Sequence, residues 1–275
     1  MLETLRKYWG HSSFRPMQSE VIGSILRGRD TLALMPTGAG KSIIYQLPTL
    51  MQEGLCIVVT PLIALMKDQV DRLRSRSISA VAIHSGLSPR QIDIALDNCV
   101  YGDVKFLYLA PERLASEAFR LRLDKMRVSL LAVDEAHCIS QWGYDFRPSY
   151  LRIAEIRRLI PDTPVLALTA SATDLVAKDI MDKLRFGEPN LFRSSFARPN
   201  LQYVVRHVED KNEQILNVID KVGGSGIIYM RTRDGVEKLA QFLTESGISA
   251  DYYHGGLGHA ERSMRQTAWS EGRTR

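Results

Sequence analysis

The chain has 275 residues, 45% hydrophobic and 24% charged, with 36 Lys and Arg against 31 Asp and Glu for a formal charge of +5. These values leave room for one large or two medium folded domains and exclude a disordered tail or a small disulfide scaffold. The mild basic excess is compatible with a nucleic-acid partner without requiring one.

Three scattered cysteines, Cys56, Cys99 and Cys138, offer neither a disulfide framework nor the paired spacing of a zinc site, and Cys56 reads as a core residue. No leader-like N-terminus stands out, and no apolar run approaches the ~18 residues needed to span a bilayer.

Residues 2–9 have helical spacing of apolar positions and stop at Gly10. A polar segment from Gly10 to Gln18 follows, then a helix over 17–26 with Val21, Ile22 and Ile25 on one face. Gln18 carries the donor and acceptor that suit an adenine edge, and His11 or Arg15 could stack on the ring; a helix-capping turn accounts for the segment equally well.

The chain is organised around the apolar strand that begins at Thr31 and runs into Thr37-Gly38-Ala39-Gly40-Lys41-Ser42. Glycines at 38 and 40 let backbone N–H groups face phosphate oxygens, and the helix opening at Lys41 presents its positive end to the same anion. Lys41 is placed for the β- and γ-phosphates and the Ser42 hydroxyl for Mg²⁺; Met35 stands where the G-x-x-x-x-G-K-[ST] pattern has its first Gly.

Strands at 55–60, 80–83, 104–109, 128–133 and 165–168, alternating with helices at 62–73 and 89–98, predict a parallel sheet covered on both faces. Thr60 and Pro61 open the helix carrying Lys67 and Gln69, a plausible seat for a nucleic-acid phosphate. His84-Ser85-Gly86 and Ala110-Pro111-Glu112-Arg113 lie at equivalent strand ends, where ordinary turn chemistry is the plainer account.

The strand 128–133 delivers Asp134 and Glu135 at its carboxyl end, where open parallel sheets bind ligands. Asp134 reads as the Mg²⁺ partner, and Glu135 as the group that orients and deprotonates an attacking water, a role worth about 10²- to 10⁴-fold. Together with the glycine turn they predict ATP hydrolysis. Beyond them, Trp142, Tyr144 and Phe146 are interleaved with polar residues and Arg147 in a loop suited to stacking on bases, with Phe146 the most apt to pack inward. Thr169, Ser171 and Thr173 end the next strand; hydroxyls there could link phosphate occupancy to movement, or simply cap the helix that Asp174 begins. After residues 196–200 a new alternation begins, with strands at 201–205, 226–230 and 250–253 and helices at 213–222, 234–246 and 258–272.

Taken together, Phe14-Arg15-Pro16-Met17-Gln18, residues 37–42, residues 60–70, the run Asp134-Glu135-Ala136-His137-Cys138-Ile139-Ser140-Gln141-Trp142-Gly143 and residues 167–173 resemble the ordered motifs of RecQ DNA helicases of superfamily 2. The resemblance implies a RecA-like, P-loop NTPase α/β fold over 1–198 and an incomplete second RecA-like unit over 199–275. It implies ATP and Mg²⁺ as cofactors, single-stranded and duplex DNA as partners, 3′ to 5′ movement, and a site inside the cell.

By position it makes His11, Arg15 and Gln18 the adenine contacts, residues 37–42 the phosphate cradle, and Lys41, Asp134, Glu135, His137 and Gln141 the catalytic set. Gln141 to Arg147 becomes a DNA-coupling loop, in which Tyr144 replaces the family's frequent His. The chain stops at Arg275 before the family's ATP-contacting arginines and zinc subdomain, so the resemblance predicts impaired turnover and no zinc in these residues. A DEAH-type RNA helicase and a non-catalytic nucleotide-binding module are the competing readings.

Overall fold

The computed structural model describes residues 1–143, 145–197 and 200–275, with His259 described by its backbone alone. Chain contacts divide it into one compact unit ending at residue 198 and a second beginning at residue 199.

The first unit is a seven-stranded sheet in the order β3-β4-β2-β5-β6-β1-β7, every neighbouring pair parallel. The strands are β1 (Thr31–Leu34), β2 (Leu55–Val59), β3 (Ala80–Ile83), β4 (Phe106–Leu109), β5 (Val128–Val133), β6 (Val165–Thr169) and β7 (Leu191–Arg193). Alternate residues of each central strand feed opposite faces. Leu32, Leu34, Ile57, Val59, Leu131 and Val133 enter one core, where they meet α5 (Pro89–Tyr101), α6 (Glu117–Leu123), α7 (Ile153–Leu159) and α8 (Asp174–Lys183). Ala33, Cys56, Val58, Tyr108, Leu130 and Ala132 enter the other, beneath α1 (Leu2–Trp9), α2 (Gln18–Leu26), α3 (Lys41–Met51) and α4 (Ile63–Arg74). Burial on both sides explains why these strands are almost continuously apolar.

Helix starts follow from local chemistry. Ser88 and Gln91 form a reciprocal capping box ahead of α5, with Pro89 in the first helical position. Thr173 caps α8 by accepting from the Val176 amide, so the capping account of that hydroxyl is the one the fold uses. The three cysteines are buried and free. Among the described residues no helix is long and apolar enough to cross a membrane.

The edge strand β7 was not legible as a strand, being three residues long and largely exposed. The second unit departs further from expectation. Its helices form, as α9 (Lys211–Lys221), α10 (Arg233–Glu245) and α11 (His259–Ser270), with Asp210 and Thr232 as N-caps of the first two. The strands expected at 201–205, 226–230 and 250–253 do not: among the described residues these segments have no ladder partner. A strand exists only when a neighbour satisfies its backbone, and among the described residues Arg275 touches only the starts of the second and third of these segments. It donates its amide to Ser249 O and accepts from the Gly226 amide.

Candidate functional site

Strand β1 releases the chain into a turn in which Gly38 and Gly40 hold φ of 83° and 77°, a region that side chains other than glycine rarely enter. Gly40 is the N-cap of α3, and no side chain caps that helix. The Ile43 amide bonds Gly40 O at 3.2 Å, and the helix start ahead of it faces the loop without a side-chain cap, the arrangement that receives an anion. The turn is braced from behind: Arg15 donates from its guanidinium to Gly38 O, and Gln18 Nε2 donates to Ala39 O and Gly40 O at 3.2 and 3.1 Å. A Cβ at Gly40 would sit 2.5 Å from that Gln18 nitrogen and displace it, and the φ of 77° itself favours glycine there.

Gln18 also accepts from the Arg15 amide at 2.9 Å. The residues read as an adenine reader are thus brought together, and both ends of the Gln18 amide are engaged by protein. Beside them lies an open cavity of about 320 Å³ lined by residues 10–15, Gln18 and Ile43, which includes His11. Its size and mixed lining suit a heterocyclic base.

Strands β1 and β5 both border β6, so their carboxyl ends lie about 10 Å apart. Asp134 leaves β5 there, its amide bonded to Val59 O and its carbonyl accepting from the Tyr150 hydroxyl at 3.0 Å. Burial first, and the neighbouring Glu135 second, raise the Asp134 carboxyl above its ordinary value, while Lys41 pulls it down. Lys41 and Asp134 therefore face one another electrostatically.

Glu135 is held at φ 47°, an uncommon conformation for a side-chain-bearing residue, and its carboxylate lies 3.4 Å from His137 Nδ1. His137 Nδ1 in turn lies 2.8 Å from Thr169 Oγ1 at the end of β6, which ties the acidic strand end to its neighbour. This tie was not legible from the sequence, which placed Thr169 only as one of three hydroxyls.

Among the described residues no group of three or more His, Cys, Asp or Glu side chains could hold a metal. The oxygen-bearing side chains of Asp134 and Ser42 are of the type Mg²⁺ takes when phosphate and water complete its shell. Their chemistry fits that ion.

The nucleic-acid set separates into two groups. Thr60 is only 3% exposed and its hydroxyl donates to Asp134 Oδ2 at 3.4 Å, which corrects its reading as a surface phosphate contact: it belongs to the acidic site. Gln69 accepts from Gln46 at 3.1 Å. Lys67 is exposed, and with Arg113 it holds the His84 imidazole below its usual value, after burial as the main cause. Lys67, His84 and Arg113 thus form a basic group at the carboxyl edge of β3 and β4, a grouping the sequence reading left as separate turns.

In the aromatic loop Trp142 is 69% exposed and Gln141 is exposed beside it. Gly143 passes so close to His137 O that a Cβ there would meet it at 2.5 Å. Phe146 is half-buried under Lys183, in keeping with its inward reading, and Arg147 pairs with Asp145 at 2.7 Å. Tyr144 lies outside the described residues. Pro61 is half-buried at the turn into α4.

Residues 15–180 match the sequence family described as DEAD/DEAH box helicase. The chain is 40% identical over 269 residues to ATP-dependent DNA helicase RecQ of Pasteurella multocida, covering 98% of this chain and 43% of that protein. It is 42% identical over 265 residues to RecQ of Bacillus subtilis, covering 95% and 45%, and 39% identical over 290 residues to ATP-dependent DNA helicase Q5 of rat, covering 98% and 30%. The chain spans about half the length of the curated relatives it matches.

Its fold resembles Mycobacterium smegmatis helicase Lhr bound to ssDNA and AMP-PNP, with a TM-score of 0.70 at 19% identity over 98% of this chain and 40% of that one. It also resembles a hypothetical ATP-dependent RNA helicase from Sulfolobus tokodaii, with a TM-score of 0.56 at 20% identity over 100% and 81%.

Proposed function

Because the chain belongs to the DEAD/DEAH box helicase family, we propose that it is the ATP-handling part of a RecQ-type DNA helicase that moves 3′ to 5′. The observation that carries this reading is the buried Asp134 carboxyl standing in the field of Lys41, across one strand from an uncapped glycine turn. A buried carboxylate pushed toward protonation by a second acid is costly unless a cationic ligand offsets it.

In this reading residues 37–42 wrap the triphosphate and Lys41 compensates charge developing on the transferred phosphoryl group. His11, Arg15 and Gln18 border the base, and Ser42 and Asp134 would hold Mg²⁺, which would supply neutralisation of charge on the phosphates. Glu135 accepts the proton of the attacking water, its carboxylate positioned by His137. Trp142 offers a face for a DNA base, Lys67 and Arg113 a phosphate seat, and Gln141 lies between the aromatic loop and the acidic pair. Residues 199–275 are the beginning of a second RecA-like unit. Single-stranded and duplex DNA are the partners, and such work belongs inside the cell.

ATP turnover measured with single-stranded DNA, single-stranded RNA or neither tests the proposal. Stimulation by DNA above that by RNA is expected. Equal or greater stimulation by RNA overturns the DNA assignment in favour of a DEAH-type RNA helicase, and ATP binding with no turnover under any of the three conditions favours a non-catalytic module.

A further inference from the structure

Lys183, half-buried in the last turn of α8, makes three contacts, two of which reach the aromatic loop. Its Nζ donates to Ile139 O at 3.3 Å, lies 5.8 Å from the centroid of the Phe146 ring, and stands 3.1 Å from Asp179 Oδ2 one turn earlier on α8. Ile139 ends the short 3₁₀ turn Ala136–Ile139 that follows the acidic pair, and Phe146 lies on the far side of Gln141 and Trp142. One cation therefore touches both stems of the loop. The stems are also joined to each other, since the Arg147 amide donates to Cys138 O at 2.8 Å. Between them the Gly143 amide donates to Ser140 O at 3.1 Å.

Packing of α8 does not ask for a lysine here. Val176, Ala177 and Ile180 form its buried face, and position 183 continues that face at helical spacing, so an apolar side chain would suit it. An ammonium brought to such a place costs stability unless it is paired. The loop gives it a use. Ile139 O is the last carbonyl of a helical turn, a group the turn itself leaves without a donor. Asp179 Oδ2, buried and without a hydrogen bond among the described residues, supplies the opposite charge. The Phe146 ring face adds a favourable seat for the cation.

We infer that Lys183, steadied by Asp179, is a positioning residue that fixes the loop presenting Gln141 and Trp142. The inference rests on the reading of Trp142 as a face for a DNA base. It assigns Lys183 an effect on DNA through the loop and not through a phosphate, because its ammonium is already engaged with Ile139 O, Asp179 and the Phe146 ring.

Anisotropy of a labelled single-stranded oligonucleotide, read beside exchange of the Gly143 and Arg147 amides without DNA, tests it without relying on turnover. Lys183→Met should weaken DNA binding about 3-fold or more and speed exchange of both amides by a similar factor. Lys183→Arg, which keeps the charge, the donors and the affinity for a ring face, should restore both to within about 2-fold. In a Trp142→Ala background, Lys183→Met should weaken binding by less than about 1.5-fold further, because the two act through one surface. Asp179→Asn, which keeps the lysine but removes its counter-charge, should weaken binding in the same direction. A lysine that itself held a phosphate would give the opposite pattern: losses additive with Trp142→Ala, amide exchange unchanged, and tighter binding in Asp179→Asn. That pattern overturns the inference, as does normal DNA binding by Lys183→Met where Trp142→Ala binds weakly. Undiminished binding by Trp142→Ala removes the DNA reading of the loop itself, and this inference with it.

Discussion

Asp134 illustrates how a single carboxyl can serve function against stability. Its folded-state value is raised above the ordinary 3.8, by burial first and Glu135 next. The ionised form is therefore disfavoured by folding: the group's stabilising contribution is complete below pH 3.8 and is lost as pH rises through the raised value. Asp134→Asn should accordingly raise the Tm of the nucleotide-free chain at pH 7, by an amount that shrinks as pH falls toward 4, while cutting ATP turnover about 10²-fold or more. Thermal melts across pH 4 to 8 check this, and a variant that melts lower at pH 7 contradicts it. Thr60 belongs to the same account, because its hydroxyl supports this carboxylate rather than facing solvent.

At the scale of elements, an ion pair fastens the sheet to its helical cover. Arg157 of α7 bonds Asp30, which lies just ahead of β1, and both side chains are mostly buried. Asp30 also accepts from the Val165 amide at 2.9 Å, so one carboxylate links the starts of β1 and β6. Arg157→Ala should cost about 3–5 kcal/mol, because it strands a buried charge, and denaturant unfolding measures it. A loss under about 1 kcal/mol would mean that water already solvates the pair.

None of this was readable from the chain, since Asp30 and Arg157 are 127 residues apart. By contrast β2, β3 and β5 were legible because doubly buried parallel strands need continuous apolar runs, and the turn into α3 was legible because its glycines are contiguous with the helix start. Residues 226–230 carry the same apolar signature and form no strand, because hydrophobicity records a preference for burial and does not record which neighbour supplies the backbone bonds.

At the scale of the first unit, the proposed nucleotide site and the proposed nucleic-acid face share the carboxyl edge of one sheet. The exposed Trp142 lies a few residues beyond the acidic pair, while Lys67, His84 and Arg113 sit at the ends of β3 and β4 and in the helix between β2 and β3. Trp142→Ala should weaken single-stranded DNA binding about 5- to 100-fold, the worth of one stacked base, with ATP affinity unchanged. Fluorescence anisotropy on a labelled oligonucleotide checks it, and undiminished binding would place the DNA elsewhere.

Everything on that face depends on phosphate occupying the glycine turn, and calorimetric titration of ATP with Mg²⁺ into the unaltered chain and into Lys41→Ala tests that most directly. Loss of one charge-assisted contact predicts a Kd raised about 10- to 100-fold in the variant. Equal affinity in the two proteins would contradict it.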